Sequence, residues 1–466
     1  MTPTPSPPPF SLLTHLAGDE EQQAIFAEDC SVESWLAAER ALALAQAEHG
    51  VLTWDEAEQI VRAARAENVD RVALWSSARN VGYPILGLVR EIAGVLPPGP
   101  DGRLHYGATT QDIMDTGLAL QMARSLIALD RRLGELGDGL AERAEEHAGT
   151  VMAARTHAQQ AVPTTFGATL GTLLAQFTRH RTRLAQAAPR IAVVSLFGAG
   201  GTAAALGPNS AAVRASMARR LGLHHTDVPW HVDRDGVAEF GWLCTSLTAA
   251  CAKLARNVVD LSRTEIGEVF EPYESHRGAS STMPQKVNPI SSELVIGLTG
   301  TAGALASSLA RIVEAGHERA AGEWQIEWQV IPQLALLAGT ALAETTSLAR
   351  GVRVDAARMR ANLARDGGLV MAEAQMISLA ARMGRERAHD LVYEAATRAR
   401  ADGQTLAAVL PGVAQERGKA DLLPDPLVTA EQYVGEAAHV ARTARDRWRA
   451  IPPLDLTTTE PSELAS

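Results

Sequence analysis

In the middle of the chain, apolar residues recur at alternating steps of four and three: Met122, Leu126, Leu129, Leu133, Leu136 and Leu140. Such steps keep one helix face turned toward a partner along its whole length, which is the seam of a long bundle helix. The spacing returns at Leu170, Leu173, Phe177, His180 and Leu184, and again at Phe240, Leu243, Leu247, Leu254, Val258 and Leu261. It appears a fourth time at Ile290, Leu294, Leu298, Leu305, Leu309 and Ile312, and a fifth segment runs through 326–348. The pattern predicts an all-α protein with an elongated central bundle of about five long helices over 109–350. Helices of about 30 residues are about 45 Å long. Five of them side by side form a rod whose apolar flanks invite association between subunits.

The flanks read differently. Residues 1–9 are proline-rich and predict an unstructured tail. Residues 10–108 predict a small helical domain, with one helix capped by Ser31 and ending at Gly50, and another broken at Gly82-Tyr83-Pro84. Over 351–450 the periodic segments shorten (356–364, 371–383, 385–401) into a C-terminal helical domain, and a Pro-, Thr- and Ser-rich tail follows at 451–466.

Composition narrows the picture. Of 466 residues, 46% are hydrophobic but 4% aromatic, so Ala, Leu and Val supply the apolar surface, which suits closely packed helices. The net charge of −11, with both signs interspersed, argues against nucleic acid as a partner. Cys30, Cys244 and Cys251 are too few and scattered for a disulfide framework. The N-terminus lacks the basic start and apolar run of a secretion signal, and no uninterrupted apolar run spans a bilayer. A soluble cytoplasmic protein without membrane contact is expected. His180 lies within a seam without a companion at helical spacing and is expected to be a hydrogen-bonded core or interface residue. The glycine-rich stretch 197–207 has no strand before it and no Gly-Lys-Ser/Thr after it, so close backbone approach fits better than phosphate binding.

Three distant polar stretches open or interrupt bundle helices. In the first, Thr109 and Thr110 precede Gln111 and Asp112 where a helix begins; two hydroxyls beside unsatisfied amides could cradle a carboxylate, and an ordinary Thr cap is the plainer alternative. The second holds Arg155-Thr156-His157 just before a rod. The third, 278–289, joins mobile Gly278, Ser280 and Ser281 to a stiffer Met283-Pro284 that presents Lys286 and Asn288 two positions apart. Farther on, Arg319 offers either another carboxylate clamp or an exposed ion pair with Glu318 or Glu323. These groups suit removal of a proton beside a carboxylate, followed by loss of a group from the neighbouring carbon, with Lys286, Asn288 and the threonines stabilising the aci-carboxylate. No metal-ligand spacing appears, and no cofactor is expected.

The 278–289 stretch resembles the signature loop of the fumarase/aspartase superfamily, Gly-Ser-Ser-x-Met-Pro-x-Lys-x-Asn-Pro, with Ala279 where that pattern has Gly. Residues 155–163 resemble its Arg-Thr-His-x-Gln-x-Ala-x-Pro motif. The resemblance implies Ser280, six residues before Lys286, as the base, and His157 beside the departing group. It also implies Thr109, Thr110, Thr156, Lys286, Asn288 and Arg319 as substrate contacts, a small dicarboxylate as substrate, and a homotetramer whose sites are shared among three subunits. Over most of its length the chain is similar to 3-carboxy-cis,cis-muconate cycloisomerases, through 106–113, 230–235 and 317–328. Gln285 and Val287 depart from that branch, as does His157, where bacterial cycloisomerases often have Trp. The expected activity is therefore metal-free β-elimination from a 2-substituted succinate to fumarate with a nitrogenous leaving group. The cycloisomerase, an adenylosuccinate lyase and a catalytically silent helical scaffold are the alternatives.

Overall fold

The computed structural model describes residues 18–456; the tail expected at 1–9, and 457–466 of the tail expected at the other end, lie outside the described residues. The fold is helical with two small antiparallel strand pairs. In chain order the helices are α1 (Glu20–Ile25), α2 (Glu28–Glu48), α3 (Trp54–Ala63), α4 (Arg71–Val81), α5 (Ile85–Val95) and α6 (Thr110–Glu146). A hairpin of β1 (Val151–Thr156) and β2 (Gln159–Thr165) leads to α7 (Phe166–Ile191). Then come α8 (Ser210–Leu221), α9 (Asp235–Leu261), β3 (Val269–Phe270), α10 (Ile290–Ala306), α11 (Leu309–Ile312), α12 (Glu323–Gly351) and β4 (Arg353–Val354). The chain closes with α13 (Ala356–Asn362), α14 (Ala372–Met383), α15 (Arg385–Asp402), α16 (Leu406–Glu416) and α17 (Ala437–Arg449).

The five periodic segments become α6, α7, α9, α10 and α12, and the seams of α6, α7, α9 and α12 meet in one core. On α10 the expected seam is not the buried face, since Val295 and Ala302 enter the core while Ile290 is exposed and Leu294 and Leu298 are half-buried. Their lengths are less uniform than the pattern suggests: α6 has 37 residues, α10 only 17. The fourth helix stops at Ala306 and resumes as the short α11, because Ser307 and Ser308 turn their hydroxyls back onto the carbonyls of Ala304 and Leu305. The stretch Ile290–Ile312 is long and apolar enough to cross a membrane by composition, yet only 17% of its most apolar 18-residue window is buried within the chain. No continuous apolar run is visible there because Gly, Ser and Thr interleave with the Leu and Ile, and Glu293 and Arg311 stand near its ends.

The flanking segments do not keep to themselves. A second core joins α2–α5 to residues 192–223 and to the first turns of α6. Helix α17, from the C-terminal segment, packs along α6 and α7 and contributes Ala441, Ala444 and Trp448 to the bundle core. Gly137 permits this contact, since a Cβ there would meet the Trp448 ring at 2.0 Å. Residues 451–456 fold back as well, with Leu454 N donating to Asp130 Oδ2 at 2.9 Å. Helices α14, α15 and α16 hold a small core of their own.

At the N-terminus, Ser31 is not the cap. The helix starts one turn earlier at Glu28, and the Ser31 hydroxyl donates back to Ala27 O at 3.1 Å. The break at Gly82-Tyr83-Pro84 is as expected: Gly82, at φ 90°, ends α4 and Pro84 precedes α5.

His180 is buried on α7, but its Nδ1 finds no hydrogen-bond partner among the described residues. Burial, reinforced by Arg183 and Arg179, draws its pKa down to about 4. The folded ring stays neutral where the unfolded one, titrating near the usual value of about 6.5, takes up a proton. Stability should therefore fall as pH drops from about 6.5 toward 4. His180→Leu should remove about 1 kcal/mol of that loss at pH 5, read as a shallower acid limb in urea unfolding at pH 5 against pH 7.

Candidate active site

Helices α6, α9 and α12 all begin at one end of the bundle, where a buried polar knot joins them. Arg234, just before α9, forks onto Asp115 of α6 at 2.9 and 3.1 Å and onto Glu327 of α12 at 2.7 and 2.5 Å. All three side chains are at most 1% exposed. Burial pushes both carboxyls above their ordinary range, while the two acids together overcome the burial of Arg234 and hold its guanidinium charged.

Beside this knot lies Thr109, the residue preceding α6. Its amide donates to Asp112 Oδ2 at 3.0 Å, and fully buried Asp112 also accepts from Phe197 N at 2.9 Å, Gly198 N at 2.8 Å, Ser195 Oγ at 3.3 Å and His231 Nε2 at 3.0 Å. The first two amides of the glycine-rich stretch are thus spent on a carboxylate of the same chain. Arg319 secures the other side, donating to Ala199 O at 3.1 Å, Gly198 O at 2.9 Å and the Gln111 side chain. This corrects the ion-pair alternative for Arg319: neither Glu318 nor Glu323 is its partner. Thr109 and Thr110 are half-buried at the helix mouth. His105, just upstream, bonds Glu39 at 2.6 Å; burial opposes its charge, but the Glu39 carboxylate prevails and its pKa is raised.

The second segment is the β1–β2 hairpin, where the sequence suggested only an approach to a rod. His157 and Ala158 form its two-residue turn, at φ 50° and 62°. Two successive positive φ values define the hairpin turn that usually carries Asn-Gly, so His-Ala gives no turn signal. Thr156 and His157 are exposed at the tip. Arg155 is a strut: it forks onto buried Glu268 at 2.9 and 2.6 Å, and Asn362 Nδ2 donates to the same carboxylate at 2.7 Å.

The third segment leads into α10. Its neck is closed by Asn288, whose backbone N and Nδ2 both donate to Gly278 O, at 2.8 and 2.9 Å. Gly278 has φ 68°, and a Cβ there would lie 2.3 Å from Asn288 O, so no other residue fits. Asn288 therefore holds the loop shut through its backbone amide and one side-chain N–H. Within the loop, Ser280 Oγ accepts from Met283 N at 3.1 Å and Thr282 N at 3.4 Å, and Lys286 is exposed. Below the loop, Glu271 caps α10 by accepting from Ser292 N and Oγ, both at 2.7 Å.

Six non-glycine residues have positive φ among those described, and four are histidines: His105, His157, His276 and His317. Each adjoins one of the candidate segments or Arg319, placing backbone strain where function is expected. Within one chain the segments are not together. Thr109 and the His157 hairpin flank opposite ends of α6, whose 37 residues span about 55 Å.

Comparison with known proteins decides the family. The model of a family described as "Lyase" matches residues 18–303, and that of the adenylosuccinate lyase C-terminus matches 368–444. The chain belongs to the fumarase/aspartase superfamily. It is 41% identical over 421 residues to the 3-carboxy-cis,cis-muconate cycloisomerase of Pseudomonas aeruginosa, covering 89% of this chain and 91% of that one. It is 36% identical over 438 residues to the nitrosuccinate lyase of Streptomyces davaonensis, covering 90% and 92%. The crystal structure of the 3-carboxy-cis,cis-muconate lactonizing enzyme from Pseudomonas putida superposes with a TM-score of 0.87 at 36% identity, over 94% of this chain and 99% of that one. This superfamily lyase is thus an enzyme of the all-α type.

Sequence reasoning missed Asp112, His231 and the Arg234 knot as a unit. The motifs 106–116, 230–235 and 317–328 contain all these residues, but nothing in their spacing announces that they meet. Asp112→Asn places an amide N–H against donors and should cost about 3 kcal/mol in urea unfolding. It should also lower activity by loosening the Thr109 mouth, whereas full stability and turnover would count against this role.

Proposed function

We propose that this lyase removes a proton beside a carboxylate of a 2-substituted succinate and expels a nitrogenous group to leave fumarate. The observation that carries this reading is Ser280 Oγ accepting two loop amides, those of Met283 and Thr282, six residues before exposed Lys286. Amides aimed at an oxygen favour its anionic form, as an oxyanion hole does, and a nearby ammonium adds to this. A serine so held can act as a base in a closed, dry site.

The steps balance as follows. The carbon-bound proton passes to Ser280 Oγ, and its bonding pair becomes the new C=C bond by way of an aci-carboxylate. The C–N pair leaves with nitrogen, which for an amine takes a proton from His157. Lys286 and the Thr109–Thr110 mouth at the positive end of α6 hold the carboxylates; Arg319 and Asn288 shape the walls they are bonded to.

Because about 55 Å of α6 separates the Thr109 mouth from the His157 hairpin, a complete site needs segments from different protomers. A homotetramer with sites shared among three subunits satisfies this, and the sparsely buried Ile290–Ile312 stretch is suited to line the interface. A second reading, 3-carboxy-cis,cis-muconate cycloisomerase, is favoured by the 41% identity to one such enzyme; its reverse reaction is also an elimination beside a carboxylate.

An ultraviolet assay for fumarate release from aspartate, nitrosuccinate, argininosuccinate and adenylosuccinate, beside consumption of 3-carboxymuconate, separates the two. Ser280→Ala should lower kcat about 10³-fold while light scattering reports an unchanged assembly. Retained turnover would remove Ser280 as the base, and a fully active monomer would refute the shared site.

A further inference from the structure

A cavity of about 450 Å³ lies between α6 and α12, roofed by α2 and α4. Four of the chain's eight tryptophans line it, Trp35, Trp75, Trp324 and Trp328, with Met114 and Leu118 on the α6 side. In a protein with 4% aromatic residues this concentration in one place is a chemical choice. The cavity starts at Met114, one helical turn past Thr110, and at Trp324, five residues past Arg319. It is therefore next to the mouth assigned to a substrate carboxylate. Tyr83 packs against this aromatic wall: its ring stacks on Trp324 at 5.6 Å and meets Trp328 edge-on at 6.0 Å. Gln325 Nε2 approaches the Tyr83 hydroxyl at 3.5 Å, while its buried Oε1 has no partner among the described residues.

We infer that this cavity holds the substituent of the substrate, and that the leaving group is an amine bearing a bulky apolar or aromatic body. The inference rests on the lyase reading above and names its substrate class. Ammonia or nitrite needs the room of one or two waters, about 30 Å³ each, and would leave most of such a cavity empty. Aromatic walls reward stacking and apolar area, and closing them over a ring expels water from both. The unpartnered Gln325 oxygen, next to Trp324 in sequence and beside the Tyr83 hydroxyl, is an acceptor an amine N–H could satisfy.

The test compares N-benzylaspartate with N-methylaspartate by fumarate absorbance. The benzyl substrate should have the higher kcat/KM by about tenfold or more, from the apolar area its ring buries. Trp328→Ala, which opens the cavity, and Leu118→Trp, which fills it, should each lower that ratio about tenfold. Equal rates for the two substrates, or a ratio that survives both substitutions, would overturn the inference while leaving the elimination reading intact. If neither releases fumarate, the elimination reading is decided by the substrate panel above, and binding decides the cavity alone. Benzylsuccinate should then quench tryptophan fluorescence at about one-tenth the concentration of succinate, and equal affinities would reject the assignment.

Discussion

The structure turns on an electrostatic convergence: three long helices begin at the same end of the bundle, and their N-terminal dipoles meet there. Partial positive charge from α6, α9 and α12 makes that end hospitable to acids, and Asp112, Asp115 and Glu327 occupy it, all buried. Two carboxylates around one guanidinium carry excess negative charge in a dry place, and burial raises both acids accordingly. Such a cluster is weak evidence for stability, since apolar replacements of similar shape could serve. Its geometric consequence is firmer: Arg234 can satisfy both forks only when the three helices stand in one axial register.

That register sets the positions of the loops. The Asp112 carboxylate gathers five donors from three loops, so the Thr109 mouth, the glycine-rich stretch and the His231 turn are one rigid body. At the other end Glu268 does the same for the His157 hairpin through Arg155 and Asn362. The loop carrying Ser280 is tied at its neck by Asn288 and Gly278, and its interior is exposed. A site needing both ends of the rod together with a less constrained loop has rigid anchors and one part free to close.

The aromatic cavity extends the same logic. Its walls come from α6 and α12, helices whose relative position Arg234 fixes, and its roof comes from the N-terminal segment. If that cavity takes the substituent, as inferred above, substitution in the roof can change specificity without disturbing the carboxylate end. Relatives named for cycloisomerisation and for nitrosuccinate cleavage, at comparable coverage of this chain, are consistent with one frame serving several leaving groups.

By itself the sequence determined the bundle, because a seam of apolar residues at steps of three and four has one low-energy use. It also determined the family, since 278–289 and 155–163 are long enough to be specific. It did not reveal the hairpin, for His157-Ala158 carries none of the residues that ordinarily mark such a turn. Nor did it reveal that α17 returns to the bundle, a matter settled by Gly137 leaving room for Trp448. Nor did it show that Arg319 bonds Gln111 and the carbonyls of Gly198 and Ala199, or that Asn288 ties the neck of its loop to Gly278. The physical reason is common to these cases: periodicity and propensity act over neighbouring residues and survive in the linear string. The partners of a buried charge are chosen by residues a hundred positions away, and only the folded chain brings them within hydrogen-bond reach.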